Sequence, residues 1–279
     1  RQRQMCIRDR NYANIGCVAG KSSGGQIAGC NAEESNIIIK SAEGSLYAGI
    51  ICGNSDSDIS DCSVSSTSEL FETTGEISSL DIGGICGSQT GGNIEKCTVN
   101  AGKMSANDIT ARNVNIGGIV GYIWGNMSLC TVKFTDDSVK EIEGESYPVS
   151  ISAVSSGISS EVGGIAGASG DSSKFKDCMY NGKSISSYSN GYSYVGGLMG
   201  SAYAGKSEST AISRSFANID GILLSNGAEG ARSGGIIGYG TGTKGEAKNL
   251  LSVADKISSK ATSSSYSAYA GDILSLIHI

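Results

Sequence analysis

The chain is poor in the residues that usually anchor a compact core or an active site. Its 279 residues include one proline, one tryptophan, four phenylalanines and a single histidine, His278, close to the C-terminus. The commonest general base of enzymes is therefore missing from almost the whole chain. Glycine, in contrast, occurs 41 times. A sequence rich in glycine and β-branched residues is a poor helix former and suits short strands separated by tight turns.

The charge balance also argues against two classes of binding partner, nucleic acids and membranes. The formal net charge is −6, whereas binding to phosphates requires clustered lysine and arginine. No apolar run approaches the length of a membrane-spanning helix. We therefore expect no nucleic-acid partner and no membrane insertion.

The two ends differ from the rest of the sequence. The first reads RQRQMCIRDR and the last reads LSLIHI, and both resemble translated sequencing adapters. We predict that residues 1–10 and 274–279 are non-native tails on an open reading frame truncated at both ends. Residues 11–273 would then form a single repeat region.

A glycine-rich motif recurs along this region. It reads apolar-Gly-Gly-apolar-x-Gly, with some variation, and successive copies start 33, 34, 34, 46, 33 and 38 residues apart. The seven copies start at Ile15, Ala48, Ile82, Ile116, Val162, Val195 and Ser233, and a partial copy starts at Ala270. Repeats of this length are typical of solenoids, propellers and arrays.

Two further elements complete each repeat. An apolar element with a central cysteine, such as IEKCTV from Ile94, follows the glycine motif, and a weaker element, such as the one near Ile109, precedes the next copy. Three short strands joined by turns form one coil of a parallel β-solenoid. We predict an all-β fold of about seven coils with about three strands per coil. The glycines would serve corners with positive φ, or close approach between coils.

The fourth repeat contains the only long insertion, at about residues 136–160, and it includes Pro148. Insertions into solenoids form loops on one face, which is often the binding face. A solvated surface loop without a function is the simpler interpretation.

The cysteines follow the repeat. Five of them hold the same place in successive repeats, namely Cys30, Cys62, Cys97, Cys130 and Cys178, with Ser215 and Leu250 at that place in the last two. Cys52 and Cys86 share a second column. The pattern favours a structural ladder of buried, reduced thiols. Disulfides and a metal site remain alternatives, although stacked side chains point alike and no CxxC spacing occurs.

Two nucleotide-binding patterns occur. GSAYAGKS satisfies the P-loop pattern with Gly200, Gly205, Lys206 and Ser207, and GTGTKG from Gly240 satisfies GxGxxG. Gly200 is also the last glycine of the sixth repeat motif, and no alternation of strands and helices surrounds either match. We interpret both as by-products of glycine richness and predict no cofactor.

Acidic and basic residues in the turns give the remaining candidates for chemistry. Asp56, Asp58 and Asp61 form one cluster, Asp136 and Asp137 another, and Arg112 or Arg214 would be the base of a lyase. Paired carboxylates are the requirement for glycoside hydrolysis. All of them lie in polar turns, where solvated charge is the ordinary outcome. Calcium bound by Asp-rich turns is a further alternative, although the regular GGxGxDxUx repeat of calcium-binding solenoids is absent. We therefore predict neither catalytic residues nor a metal site.

The glycine and cysteine elements together resemble the GLUG-motif repeats of bacterial surface adhesins and of the non-catalytic parts of IgA-specific peptidases. Five copies carry the motif, Gly84–Gly87, Gly118–Gly121, Gly164–Gly167, Gly197–Gly200 and Gly235–Gly238, whereas Cys17 and Ile50 replace the leading glycine in the first two. The resemblance implies a non-catalytic, extended region of an extracellular or cell-surface protein. It implies no particular ligand.

The sequence thus predicts a structural or adhesive segment of a larger secreted or surface-anchored bacterial protein. Its surface ligand would be a protein or a glycan, displayed on Ser-, Asn- and Tyr-rich turns such as 184–194. The alternatives are a carbohydrate-active β-helix enzyme, a lyase or a hydrolase, and a spacer that flanks a peptidase domain. A groove with convergent acidic or basic side chains would favour the enzyme.

Overall fold

The structure is a computed structural model, and it describes residues 12–39, 44–142, 145–203, 210–241, 246–263, 265 and 267–272. The predicted adapter tails lie outside these ranges. All regular structure within them is β-strand, so they contain no helix that could span a membrane.

The first two sheets lie on either side of the glycine motif. Sheet 1 has eight parallel strands, and sheet 2 has seven. The strands of sheet 1 are Tyr12–Ile15, Ser45–Gly49, Ser79–Gly83, Asn113–Gly117, Ser159–Gly163, Tyr192–Gly196, Gly230–Gly234 and Ala268–Gly271. Those of sheet 2 are Ala19–Ser22, Cys52–Ser55, Cys86–Gln89, Val120–Ile123, Ala166–Ser169, Met199–Ala202 and Ile237–Gly240.

The next two sheets lie on either side of the cysteine element. The seven strands of sheet 3 are Gln26–Ala28, Asp58–Ser60, Asn93–Glu95, Asn126–Ser128, Lys174–Lys176, Ala211–Ser213 and Ala247–Lys248. Sheet 4 has eleven strands, Asn31–Glu33, Ser63–Ser65, Gly75–Glu76, Thr98–Ala101, Met104–Thr110, Thr131–Phe134, Val139–Ile142, Glu145–Ser155, Met179–Ser189, Phe216–Gly227 and Leu251–Ala261. Ile37–Ile39 pairs with Phe71–Thr73 in a separate two-stranded sheet.

Every repeat forms one coil, and equivalent residues of successive coils pair in register, apart from bulges in sheet 4. In sheet 1, for example, Ile82 pairs with Ala48 of the preceding coil and with Ile116 of the following one. Such stacking separates neighbouring coils by about 4.8 Å. The predicted parallel β-solenoid of about seven coils is confirmed.

The glycine and cysteine elements each cross a corner of the coil. The glycine motif ends a strand of sheet 1 and begins a strand of sheet 2, and the cysteine element does the same for sheets 3 and 4. Each of the first seven coils consequently contributes strands to four sheets, whereas the sequence predicted about three strands per coil. The sequence elements mark the corners of the coil rather than its individual strands.

The number and length of the strands that each coil contributes to sheet 4 change along the solenoid. The third coil contributes two separate segments, Thr98–Ala101 and Met104–Thr110, and the parallel strands of the fourth are Thr131–Phe134 and the longer Glu145–Ser155. From Met179 onward each coil has one strand of 11 or 12 residues. The predicted insertion loop is mostly regular structure. Val139–Ile142 pairs antiparallel with residues 145–148, which begin the strand Glu145–Ser155. The rest of that strand pairs parallel in sheet 4. The part outside the coil is therefore a short hairpin.

One continuous hydrophobic cluster fills the solenoid from Ala13 to Ile237. Each buried aliphatic side chain contributes about 1.5–3 kcal/mol to stability. In the later coils, serines join the interior: Ser187 donates to Ser160 at 2.8 Å, and Ser225 donates to the Ser193 carbonyl at 2.6 Å. The expectation that residues 184–194 form a display turn was wrong, because Ser184, Ser187 and Ser193 are fully buried.

Candidate binding groove

The outward side of sheet 1 carries a column of polar and aromatic side chains. Strand residues alternate between faces, and because Leu80 and Ile82 belong to the core, Asp81 between them faces outward. The paired positions of the eight strands are Asn14, Tyr47, Asp81, Asn115, Glu161, Tyr194, Arg232 and Tyr269. Each directly precedes a copy of the glycine motif or its partial copy.

A second column on sheet 2 meets the first. Its paired residues are Lys21, Asn54, Ser88, Tyr122, Ala168, Ser201 and Tyr239. Ser201 donates a hydrogen bond to Glu161, and the Tyr203 hydroxyl donates to the same carboxylate at 2.9 Å. The Arg232 guanidinium lies 4.2 Å from the centre of the Tyr239 ring. We name this double column, together with Trp124, Tyr192 and Tyr203, the groove.

The motif glycines bring the two sheets together. A Cβ atom added to Gly121 would lie 2.5 Å from the Ile82 nitrogen and 2.7 Å from the Gly87 carbonyl oxygen. Gly87 and Gly200 contact the neighbouring coil in the same way. Their φ angles are not in the left-handed region. Close approach, rather than positive φ, is therefore the reason for these glycines.

Two carboxylates lie on the floor of the groove. Asp81 and Glu161 are each 5% exposed. Burial raises the pKa of Asp81 to about 7, against hydrogen bonds from Asn115 and Ser88 that lower it. Burial also raises the pKa of Glu161, with opposing hydrogen bonds from Ser201 and Tyr203. Both carboxyls therefore hold a proton at a higher pH than they would in water.

Asn115 lies between these carboxyls in the column. Its Nδ2 donates to Asp81 at 2.8 Å, while its own buried Oδ1 has no hydrogen-bond partner within the described ranges. One amide therefore serves one carboxyl only.

Aromatic rings surround Arg232 toward the C-terminal end of the groove. Tyr194 and Tyr239 stack with centroids 4.8 Å apart, and Tyr203 meets Tyr239 edge-on at 6.0 Å. Tyr192 stacks on Tyr194 at 6.3 Å, and Arg232 lies within 5.8 Å of the Tyr269 ring centre. We name these five tyrosines and Arg232 the tyrosine platform. Burial raises the pKa of both Tyr194 and Tyr203, so their hydroxyls stay protonated.

The middle of the groove carries a second aromatic pair. The Trp124 indole N–H donates to the Tyr122 hydroxyl at 2.5 Å, and the Trp124 side chain is 57% exposed. A large exposed ring held by a hydrogen bond is a contact surface fixed in place.

The five cysteines of the predicted ladder, of which Cys30 is half-buried and the other four are buried, lie at a different corner, between sheets 3 and 4. The residue before each cysteine position has φ between 49° and 65°, and these residues are Gly29, Asp61, Lys96, Leu129, Asp177, Arg214 and Asn249. At this corner the thiols of Cys62, Cys97, Cys130 and Cys178 lie 3.2–3.5 Å from the carbonyl two residues earlier. The Ser215 hydroxyl donates to the equivalent carbonyl at 2.9 Å.

Thiols of neighbouring coils also contact one another. Hydrogen bonds to Cys178 and Cys97, together with burial, raise the pKa of the Cys130 thiol well above its usual value. Cys52 and Cys86 pair in sheet 2. The eight cysteines within the described ranges are all free. A buried thiol whose pKa is raised, such as that of Cys130, is a poor nucleophile.

Two open depressions lie on the outer face of sheet 4. One, of about 470 Å³, contains Lys183, which is bridged to Asp137 at 3.0 Å and to Asp220 at 2.6 Å. The other, of about 500 Å³, contains Lys103, bridged to Asp136 at 3.5 Å. Both lysines are neutralised by carboxylates of the chain itself.

The structure does not bring the turn residues considered from the sequence together. Asp56 and Asp58 accept backbone N–H bonds from Gly24 and Asn93, and Arg214 forms a bidentate pair with Asp177 at another corner. No group of three or more His, Cys, Asp or Glu side chains suited to a metal occurs in the described part of the chain.

The P-loop pattern is only partly described. Gly200 belongs to a strand of sheet 2, and a Cβ there would lie 2.4 Å from the Val162 nitrogen. Gly205, Lys206 and Ser207 lie outside the described residues, as do residues 242–245 of the second pattern. The repeat motif itself requires Gly200.

The sequence reasoning missed the groove. Its signal was present at the position before every glycine motif, where Asn, Tyr, Asp, Glu and Arg interrupt an apolar stretch. These residue types differ from coil to coil, so the column does not stand out as a motif.

Comparison of the chain with protein-family models, with curated proteins and with solved structures finds no match.

Proposed function

We propose that the chain is a structural and adhesive, non-catalytic segment of a larger secreted or cell-surface bacterial protein. The observation that carries the proposal is the groove, an outward column of side chains that extends through the coils of a rigid solenoid. Its exposed part is rich in tyrosine and includes tryptophan and arginine, the residue types most enriched in binding hot spots.

The rest of the solenoid supports a scaffold role. In-register pairing and a continuous core fix the position of each coil relative to its neighbours. Repeat proteins use such stacking to present an extended binding surface. The surface ligand is a protein or a glycan.

Adhesion is tested with beads coated with the purified chain. Under flow, these beads should attach to at least one of three surfaces: cultured epithelial cells, a mucin film or a polysaccharide film. Beads coated with a Trp124→Ala, Tyr203→Ala double variant should attach less. Equal attachment by both would contradict the groove as the adhesive surface.

A carbohydrate-active enzyme is the second candidate, and the floor carboxyls favour it. Asp81 and Glu161 are two coils apart, or about 10 Å at the usual spacing between strands. This is near the upper limit of about 9.5 Å between the carboxyls of inverting glycosidases. New reducing ends or unsaturated uronides after incubation with polysaccharides, lost in Glu161→Gln, would establish this function in place of the first.

A further inference from the structure

We propose that the tyrosine platform binds an acidic saccharide, with Arg232 holding its carboxylate and the tyrosine rings packing against its sugar faces. The proposal rests on the adhesive function and names the chemical class of its ligand.

Arg232 is a cation without an anionic partner in the described part of the chain. Three tyrosine rings surround its guanidinium at 4.2–5.8 Å, yet no carboxylate lies within 4.0 Å and its N–H groups donate no hydrogen bond there. A guanidinium has five donors in a planar fork that fits a carboxylate bidentately. Arg232 is thus positioned for an external anion.

Three other long cations of the chain differ in this respect. Arg214 is bidentate to Asp177, and Lys103 and Lys183 are each bridged to two carboxylates. The depressions around the two lysines are therefore poor binding sites for an anion. The chemistry of the tyrosine platform is distinct.

The platform holds Arg232 in place without neutralising it. The Arg232 backbone nitrogen donates to the Ser225 hydroxyl at 3.1 Å, and the strand pairs with its neighbours on both sides. Interactions with aromatic faces fix the guanidinium while its edge N–H groups stay available. A carboxylate can bind at that edge without displacing the rings.

The tyrosines match a sugar rather than a peptide. A sugar ring has an apolar face of C–H groups and a polar edge, and a tyrosine ring likewise has an apolar face and a polar hydroxyl. Tyr203 and Tyr269 are 37% and 40% exposed. Both columns of the groove lack leucine, isoleucine, valine and phenylalanine, the residues that would line pockets for apolar peptide side chains.

The platform is also extended along the solenoid axis. Tyr194, Arg232 and Tyr269 occupy successive coils, a span of about 10 Å at the usual strand spacing. This length accommodates a short oligosaccharide lying along the groove.

The test is isothermal titration of the full chain with three probes, which are trigalacturonic acid, its fully methyl-esterified form and a hexameric glutamate peptide. We expect binding of the acid. The neutral ester should bind about 10-fold to 100-fold more weakly, the range for losing charge-assisted hydrogen bonds. The peptide should bind still more weakly because it lacks sugar faces.

Variants separate the two parts of the site. Arg232→Gln should weaken trigalacturonate binding about 10-fold or more and leave the ester unaffected. Tyr239→Leu should weaken both, and Tyr269→Ala is the second ring variant if Tyr239→Leu does not fold. Arg214→Gln, which removes an exposed arginine at the opposite corner, is the matched control and should bind like the unaltered chain.

Several results would overturn the proposal: equal binding of acid and ester, unchanged binding by Arg232→Gln, tighter binding of the peptide, or no binding of trigalacturonate. Bead adhesion in the presence of any of these results would leave the adhesive function standing. Cleavage of the probe would instead remove the adhesive function in favour of the enzyme.

Discussion

Two corners of the coil are marked in the sequence, and the backbone changes direction at both. The structural requirement that selects the residues differs between them. At the corner between sheets 1 and 2, glycine is required because the backbone of a neighbouring coil occupies the space of a Cβ atom. At the corner between sheets 3 and 4, the left-handed residue is mostly not glycine, and a thiol or hydroxyl one residue later bonds the free carbonyl. The first corner is thus limited by space and the second by backbone conformation.

The largest effect is expected at the glycine corner. Gly121→Ala places a Cβ 2.5 Å from the Ile82 nitrogen, so the two sheets must separate. We expect the free energy of unfolding to fall by about 3 kcal/mol, as measured by urea denaturation. Gly240→Ala is the control, because nothing lies within 4 Å of its added Cβ. Equal losses in both variants would show that close approach is not the constraint.

The next largest expected effect is a pH dependence of stability caused by Asp81, which lies on the groove side of the same corner. The pKa of Asp81 is raised from 3.8 to about 7 in the folded protein, so the folded state binds a proton that the unfolded chain has released. The free energy of unfolding should therefore fall as pH rises from about 4 to about 7, by about 2 kcal/mol between pH 5 and pH 7.

Urea denaturation at a series of pH values checks this slope. Asp81→Asn should reduce it, and the raised pKa of Glu161 should leave a residual slope of the same sign. Asp171→Asn, at an exposed turn, serves as the control and should retain the original slope. A free energy of unfolding that increases with pH over this range would contradict the assignment.

At the cysteine corner we expect a smaller effect that depends on the substituent. Cys130→Ala leaves the Ser128 carbonyl without its side-chain partner and should reduce the free energy of unfolding by about 1–2 kcal/mol. Cys130→Ser should lose less, because Ser215 already makes the equivalent bond in a later coil. Thermal melting of the two variants compares them. A serine variant less stable than the alanine variant would identify packing as the dominant role of the thiol.

The smallest expected effect is an increase in the free energy of unfolding. Leu129 has φ 55° and is 48% exposed, so its side chain contributes little burial at a conformation that L-residues disfavour. Leu129→Gly should raise the free energy of unfolding by about 0.5–1 kcal/mol. Gly29→Ala, at the same corner of the first coil, should have the opposite sign. Loss of stability in Leu129→Gly would show that the leucine side chain matters more than its backbone.

The sequence predicted the coil architecture because each coil repeats the same spatial constraint. Gly87, Gly121 and Gly200 meet the same atoms of a neighbouring coil, so the same residue type recurs with the period of the coil. The left-handed corner left no such pattern. Asp61, Lys96, Leu129 and Arg214 share a φ angle but no side-chain property. A backbone conformation that several residue types can adopt cannot be inferred from one sequence.

The groove was missed for a related reason. Its column mixes acids, amides, tyrosines and arginine, since outward positions are free to vary once the fold is secured by the interior. The charged turns, by contrast, attract notice in the sequence but stabilise the stacking of coils, since residues such as Asp58 accept hydrogen bonds from backbone N–H groups of the next coil. Strand alternation would have identified the column only once the strand boundaries were known.

The in-register stacking of coils also determines how the molecule responds to tension. The hydrogen bonds between coils run along the solenoid axis, so a force along that axis loads all coil interfaces in series and the weakest one separates first. Most coils contain 33 to 38 residues. A coil that detaches would release about 110–130 Å of extended chain in place of roughly 5 Å of rod. Under load, the solenoid would lengthen in steps and dissipate work at each one, as an extensible tether does.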